Sequence, residues 1–444
     1  MAVTKDMTVG RPFPLILKFS LPLLLGTVLQ QTYSLVDAAI IGKSLDIQSL
    51  GAIGSSSSVL FFILGFCNGC CGGFGIPVAQ KFGAKDFVML RSYVNTSIRI
   101  SIVMSLIIML LTLLLCRKIL VWMSTPDDIF EGAYIYLLIT FFTIPAIFMY
   151  NLFASVIRAL GDSKTPFYFL IVATILNIAL DFLFILGFGF GVGGAAFATL
   201  VSQLVATVLC GFFMMKKFPV LKKSDGEKKF CWQHAGHLLS VGVPMGLQFS
   251  ITAIGSMMLQ NSNNALGTTS VAAFTTAMRI KMFFTCAFDN MGMAMATFAG
   301  QNFGAKKISR IIHGVKDSMI MMLIYTAFLF VIIWPCARIF GSWFMDGNEI
   351  EVLDKTELFL HVNVIFHITL AVLCILRYTI QGVGFTKLSL FSGVAEMIAR
   401  ILVSCIAVPA LGFMGVCLGD PLAWVAADLF LIPAFIYVYK KIKN

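Results

Sequence analysis

Residues 79–86 read AQKFGAKD and residues 300–307 read GQNFGAKK, 221 positions apart in a chain of 444 residues. The near-identity is accompanied by two further correspondences: Pro22 is matched by Pro244, and RALGDSK at 158–164 lies opposite QGVGFTK at 381–387. One heptapeptide can recur by chance, but three landmarks in the same order and register point to duplication. The repeat unit is far longer than a solenoid repeat, so it is a whole structural half rather than one stacked element. The sequence therefore divides into residues 1–220, a polar connection at 221–233, and residues 234–444.

Composition says what the halves are made of. The chain is 59% hydrophobic and only 12% charged, with a mean hydropathy of +0.93. A soluble domain carries about a quarter charged residues because its surface faces water. This chain cannot build such a surface and reads as a polytopic membrane protein. The net charge of +11 does not indicate nucleic-acid binding, because the basic residues sit in short clusters between apolar runs. The 11 cysteines are scattered through apolar segments and read as small buried hydrophobes. Cys67, Cys70 and Cys71 have no second Cys or His cluster at metal-ligand spacing. The first long apolar segment lacks a small-residue cleavage site and reads as a retained helix.

A spanning helix needs about 20 predominantly apolar residues. Twelve such runs are present: 14–40, 50–78, 92–116, 129–157, 165–187, 191–216, 234–262, 270–300, 313–337, 353–381, 387–409 and 412–438. The fold class expected is all-α, twelve transmembrane helices in two six-helix lobes related by a parallel pseudo-two-fold repeat around a central cavity. Basic residues fall on one side of this arrangement, from Lys5 and Arg11 through Lys81, Lys85, Arg91, Arg158, Lys164 and the 216–229 cluster to Lys440, Lys441 and Lys443. The opposite loops are short or acidic, with Asp127, Asp128 and Glu131 in one and Asp346, Glu349, Glu351 and Asp354 in another. The basic side is cytoplasmic by the positive-inside rule, so a multi-pass plasma-membrane protein with both termini inside is expected.

A carboxylate at membrane depth is costly, about 2.5 to 3.5 kcal/mol on insertion scales, and marks a functional position by default. The first half carries Asp37 on its first helix and Asp181 on its fifth, with Asn177 one turn before Asp181 and on the same face. Asp181 lies about 24 Å along its helix, near the outer level that Asp37 reaches. Ala195 and Thr199, again one turn apart, begin the sixth helix at that level. Carboxylates, an amide oxygen, a hydroxyl and a backbone carbonyl suit sodium, and paired carboxylates suit a proton. The other reading of such a cluster is interhelical hydrogen bonding that holds the lobe together.

The stretches QQTYSLVDAAIIG, AQKFGAKD, GQNFGAKK and RALGDSKTPF resemble the multidrug and toxic compound extrusion (MATE) family, and the likeness covers essentially the whole chain. The resemblance implies export of bulky organic cations by alternating access, in exchange for sodium or protons, with no cofactor. It also implies that Asp37, Asn177, Asp181, Ala195 and Thr199 form the cation-coupling site of the first lobe, with Asp37, Asn177, Asp181 and Thr199 as metal ligands if the ion is sodium. Gln30, Gln31, Tyr33, Tyr150 and Asn151 are expected to line the substrate cavity. In the second half, Arg400 stands where the first has Asn177, and Ser404 where it has Asp181. Glu396 and Arg400, with Arg279, Lys281, Asp289 and Asp428, read as a self-neutralising buried ion-pair network; the alternative is that Glu396 or Asp289 meets the cationic substrate. The expected partners are organic cations and membrane lipids, the expected working unit a monomer. Two other functions compete with export. A flippase for lipid-linked glycans shares the two-lobe plan but calls for a strongly basic cavity. A membrane-embedded enzyme calls for an acidic metal motif or a catalytic His at a helix end, and His361 and His367 stand isolated on one expected span.

Overall fold

The structure is a computed structural model that describes residues 5–44, 47–123, 125–222, 230–344 and 349–443, leaving aside the side chains of 37–44, 47–50 and 55. The first half contains α1 (Pro12–Ser44), α2 (Ile47–Gly83), α3 (Phe87–Trp122), α4 (Asp127–Phe142), α5 (Ile144–Ala159), α6 (Lys164–Asp181) and α7 (Gly191–Lys217). The second contains α8 (Trp232–Asn264), α9 (Thr268–Gly304), α10 (Ile308–Ser342), α11 (Ile350–Ile365), α12 (His367–Gly382), α13 (Thr386–Leu402), α14 (Val408–Leu411) and α15 (Phe413–Lys443). Among the described residues every regular element is helical. Among the described residues ten helical runs are long and apolar enough to cross a membrane, and two bent pairs, α4 with α5 and α11 with α12, pass the same test when each pair is taken as one span. The protein is thus built of twelve membrane-spanning segments, as the hydropathy pattern predicts.

The duplication extends to the irregularities. The bent pairs occur at the same place in each half, with angles of 43° and 52°. In the first, Pro145 near the start of α5 supplies no backbone N–H and helps fix the break. Each half also has a π-helical turn in its fifth span, Phe182–Gly187 after α6 and Val403–Ala407 after α13. Lys85 and Lys306, in the two FGAK turns, both adopt φ of 57°. This left-handed conformation is uncommon outside glycine, and its recurrence shows that the octapeptides encode one turn geometry.

The turns then diverge in a way the sequences explain. In the first, Asp86 caps α3 by accepting a hydrogen bond from the Met89 N–H at 3.2 Å. In the second the cap position is Lys307, whose side chain instead donates to the Thr8 carbonyl at 2.9 Å. Arg310 donates to the carbonyls of Gly10 at 2.9 Å and Met7 at 3.2 Å, and the Met7 N–H donates to Gln301 Oε1 at 2.8 Å. The N-terminal backbone before α1 is turn and bend rather than helix, and these side chains supply its hydrogen-bond partners.

Two compact units emerge, one comprising Met1–Asp6 and Leu21–Gly246, the other Met7–Ser20 and Leu247–Asn444. The division passes through α1 and α8, the first helix of each half, rather than through the polar connection between halves. Within the first unit a large apolar core gathers α2, α3, α4 and α5 around Phe74, Phe141 and Phe148, all fully buried. The outward face of α3 is equally apolar, with Leu106, Leu110 and Leu114 exposed, the surface required where the solvent is lipid.

Candidate functional site

The loop before α6 fixes how that helix is presented. Gly161 adopts φ of +86°, and a Cβ there would lie 2.0 Å from the Lys5 carbonyl oxygen, so glycine is required on both counts. Asp162 then caps α6: its Oδ1 accepts from the N–H groups of Lys164 at 2.9 Å and Thr165 at 3.1 Å, and its Oδ2 from the Thr165 hydroxyl at 2.6 Å. Tyr150 on α5 donates to the Pro166 carbonyl at 3.0 Å. The RALGDSKTP stretch is therefore a positioning device, and Tyr150 is tied to it through this hydrogen bond.

Four turns along, α6 carries Asn177 and Asp181, both buried, with Asp181 fully so. The Tyr33 hydroxyl on α1 donates to Asn177 Oδ1, which joins α1 and α6 at this level. The Asn177 amide nitrogen has no hydrogen-bond partner among the described residues. Asp181 ends the regular α6, and the π-helical turn begins at the next residue. Such turns are frequent at functional sites because they release backbone groups from the regular ladder. The chain then reverses through Gly189 and Gly191, both at positive φ, into α7. Gly194 brings α7 against this turn: a Cβ there would lie 3.2 Å from the Phe184 carbonyl carbon and oxygen. Ala195 packs with Ile185 against Ile178 and Ile53; Ile178 follows Asn177 in the sequence and Ile185 lies one turn past Asp181. Thr199, half-buried, donates to the Ala195 carbonyl at 3.2 Å.

The residues expected at this site do not all come together. Asn177 and Asp181 share a buried face of α6, Ala195 packs with Ile178 and Ile185 of the same span, and Thr199 donates to the Ala195 carbonyl. Asp37 belongs to α1 but its side chain lies outside the described residues. Tyr33, expected only as cavity lining, is the side chain that ties α1 to Asn177. Gln30 is exposed and Gln31 half-buried. Asn151 donates to the Ile147 carbonyl one turn back on its own helix at 3.0 Å. The oxygens on this part of the first unit are all hard donors suited to sodium or a proton, and among the described residues no three His, Cys, Asp or Glu side chains gather as a metal centre.

The second unit holds a different assembly. Glu396 on α13 is bridged by Arg377 of α12 and, at 3.4 Å, by Arg400 one turn along its own helix. Arg400 reaches Asp420 of α15 at 2.9 Å, and Lys281 of α9 pairs with the other Asp420 oxygen. The result is a ladder of alternating charge, Arg377–Glu396–Arg400–Asp420–Lys281, across four helices, every member buried. The expected network exists, but its membership differs. Arg279 is exposed and outside the ladder, whereas Arg377 and Asp420, absent from the expected set, are essential rungs. Both are single charges inside apolar runs, AVLCILRYTIQG and GVCLGDPLAW, so the rule that found Asp37 applies equally to them. His361 and His367 also fall on two helices, α11 and α12, either side of the bend.

The face of α13 that is buried consists of Thr386, Ser389, Ser392, Gly393, Glu396 and Arg400. Its apolar residues Phe391, Ile398 and Leu402 point outward. This inverted helix is the expected solution where the surroundings are lipid and the interior supplies polar partners. Below the ladder, Gln381 donates to Gln248 at 2.8 Å and to Ser389 at 3.1 Å, and Arg377 donates to Ser392 at 3.2 Å.

Comparison with known proteins places this architecture. The sequence model of the MatE family matches residues 22–183 and 244–406, one copy in each half. Probable multidrug resistance protein YpnP of Bacillus subtilis (strain 168) is 31% identical over 306 residues, 69% of this chain and 68% of that protein. Probable multidrug resistance protein YoeA of the same organism is 26% identical over 436 residues, 95% of this chain and 93% of that one. Among solved structures, an outward-facing multidrug resistance MATE family transporter of the MOP superfamily superposes with a TM-score of 0.92 at 21% identity, covering 100% of this chain and 99% of that one.

Proposed function

Since the chain belongs to the MatE family, with which both its halves align, we propose that it is a secondary active exporter of bulky organic cations. Residues 1–220 and 234–444 serve as its two repeat lobes, joined by the cytoplasmic connection 221–233, with both termini inside. It works as a monomer, needs no cofactor, and exchanges substrate for sodium or protons by alternating access.

The observation that carries this reading is the Tyr33–Asn177 hydrogen bond. Tyr33 and position 37 are one turn apart on α1, as Asn177 and Asp181 are on α6. If the first and fifth spans run in the same direction, that bond sets α1 and α6 in register, and the next turn brings position 37 opposite Asp181. Two carboxylates so placed cannot both remain charged without a cation between them. A cation held by Asp37, Asn177, Asp181 and Thr199, with the Ala195 carbonyl, neutralises the pair. Its release to one side changes what α1 and α6 can tolerate, which is the differential affinity that coupling requires. The adjoining π-helical turn provides a backbone with two available hydrogen-bonding patterns.

The glycan-lipid flippase is the less favoured reading, because the relatives bear the names of multidrug resistance proteins and the first unit's buried site is acidic. The deciding experiment is efflux of a fluorescent organic cation from proteoliposomes, with sodium and proton gradients imposed separately. Concentrative efflux under either gradient supports export, and its absence under both overturns it.

A further inference from the structure

The second unit brings four carboxylates together with three basic side chains. Glu396 is saturated by Arg377 and Arg400, and Asp420 by Arg400 and Lys281. Asp289 on α9 is exposed and accepts a weak hydrogen bond from the Cys374 thiol at 3.7 Å. The fourth, Asp428 on α15, is 7% exposed, and its Oδ1 accepts no hydrogen bond among the described residues. Arg377 and Glu396 are the charges acting on both Asp289 and Asp428. At formal charge the seven groups sum to one excess negative, and the excess falls beside the one carboxylate oxygen of the four that is both buried and unpartnered among the described residues. A buried carboxylate in that condition is neutralised rather than left charged.

We propose that Asp428 is a proton-binding site of the second unit, separate from the carboxylates of α1 and α6. The proton comes from bulk water and forms an O–H bond at Oδ1, which brings the network to neutrality. Sodium fits less well, since a hard cation needs several oxygen ligands and Arg377 already places positive charge at the position. The charged groups acting on Asp428 are Arg377 from α12 and Glu396 from α13; Arg400 of α13, Lys281 of α9 and Asp420, two turns earlier on α15 itself, continue the ion-pair ladder from Glu396, and Asp289 of α9 with Cys374 of α12 shares the influence of the same two charges. His367 of α12 stands against Trp424, one turn before Asp428, with ring centroids 6.1 Å apart. α11 brings Lys355 over Phe413 at the far end of α15. The second unit therefore takes up and releases a proton by itself. This inference does not depend on the export reading, because it concerns proton binding by the folded chain whatever the chain transports.

The test is infrared difference spectroscopy of the purified full-length protein between alkaline and acidic pH. The parent should show the carbonyl stretch of a protonated carboxyl. That band should vanish in Asp428→Asn, move in Asp428→Glu, and persist in the double variant Asp37→Asn/Asp181→Asn. A band that survives unchanged in Asp428→Asn, or that disappears in Asp289→Asn instead, overturns the assignment. Should Asp428→Asn fail to fold, Asp428→Glu decides alone: a displaced band supports the site and an undisplaced one refutes it.

Discussion

Replacing Glu396 with Gln removes a charge that serves two arginines at once, with almost no change of volume. The two arginines fare differently. Arg400 keeps Asp420 at 2.9 Å, so its guanidinium remains paired. Arg377 does not: its one direct ion pair is lost, its remaining described hydrogen-bond partner is the neutral Ser392 hydroxyl at 3.2 Å, and Asp289 and Asp428 act on it without a direct ion pair. Breaking one side of a buried pair costs about 3 to 5 kcal/mol, because the surviving charge keeps its desolvation penalty without its attraction. For a cooperative unit of this size, each kcal/mol moves the melting temperature by roughly 2 to 4 °C, which gives a fall of roughly 6 to 20 °C. Thermal unfolding of detergent-purified Glu396→Gln, followed by tryptophan fluorescence, measures it. The double variant Arg377→Met/Glu396→Gln removes that cation as well and should recover most of the loss, whereas Arg377→Met alone should not match the parent. A Glu396→Gln protein melting within about 2 °C of the parent would refute the claim that the ladder supports the second unit.

Three other perturbations have defined outcomes. Asp162→Ala deletes the acceptors for two N–H groups and a hydroxyl at the start of α6 and should cost about 1 to 2 kcal/mol of stability, with Asp162→Asn retaining most of it, both read from melting curves. Thr199→Val keeps the shape of the α7 residue but removes its hydroxyl oxygen; it should weaken sodium-driven efflux several-fold while leaving proton-driven efflux near the parent rate, measured in proteoliposomes. Cysteines placed at Asp127 or Glu349 should gain label from an impermeant maleimide added to intact cells, and one at Lys217 should not; the reverse pattern would invert the topology.

The elements legible from the residues are those governed by hydropathy and repetition. Twelve apolar runs correspond to twelve spans, and the FGAK pair folds into the same left-handed turn twice. The breaks in the fourth and tenth spans are not legible in the same way. Pro145 marks the first, but the second, at Phe366, has no proline, and a bend set by packing leaves no trace in composition. The inverted face of α13 is hidden for a related reason: a polar stripe inside a membrane helix shows the same periodicity as an ordinary amphipathic helix, and only the surroundings decide which side is buried. At the candidate site, the i, i+4 spacing alone places Asn177 with Asp181, because helical geometry is local. That Tyr33 links α1 to Asn177 is not readable from spacing, since the rotation of one helix about its axis depends on its neighbours. Arg377 and Asp420 are readable as lone intramembrane charges, while their pairing is not, because it joins residues far apart in the chain.

The proposed coupling role of the first unit rests on Asp37 and Asp181, and gradient-driven efflux by their neutral variants tests it most directly. Asp37→Asn and Asp181→Asn each keep side-chain volume and hydrogen-bonding capacity, so protein purified and reconstituted at equal density should fold, and should bind substrate, yet fail to concentrate it under either a sodium or a proton gradient. If both variants still drive concentrative efflux at the parent rate, the carboxylates merely hold helices together and the coupling site lies elsewhere.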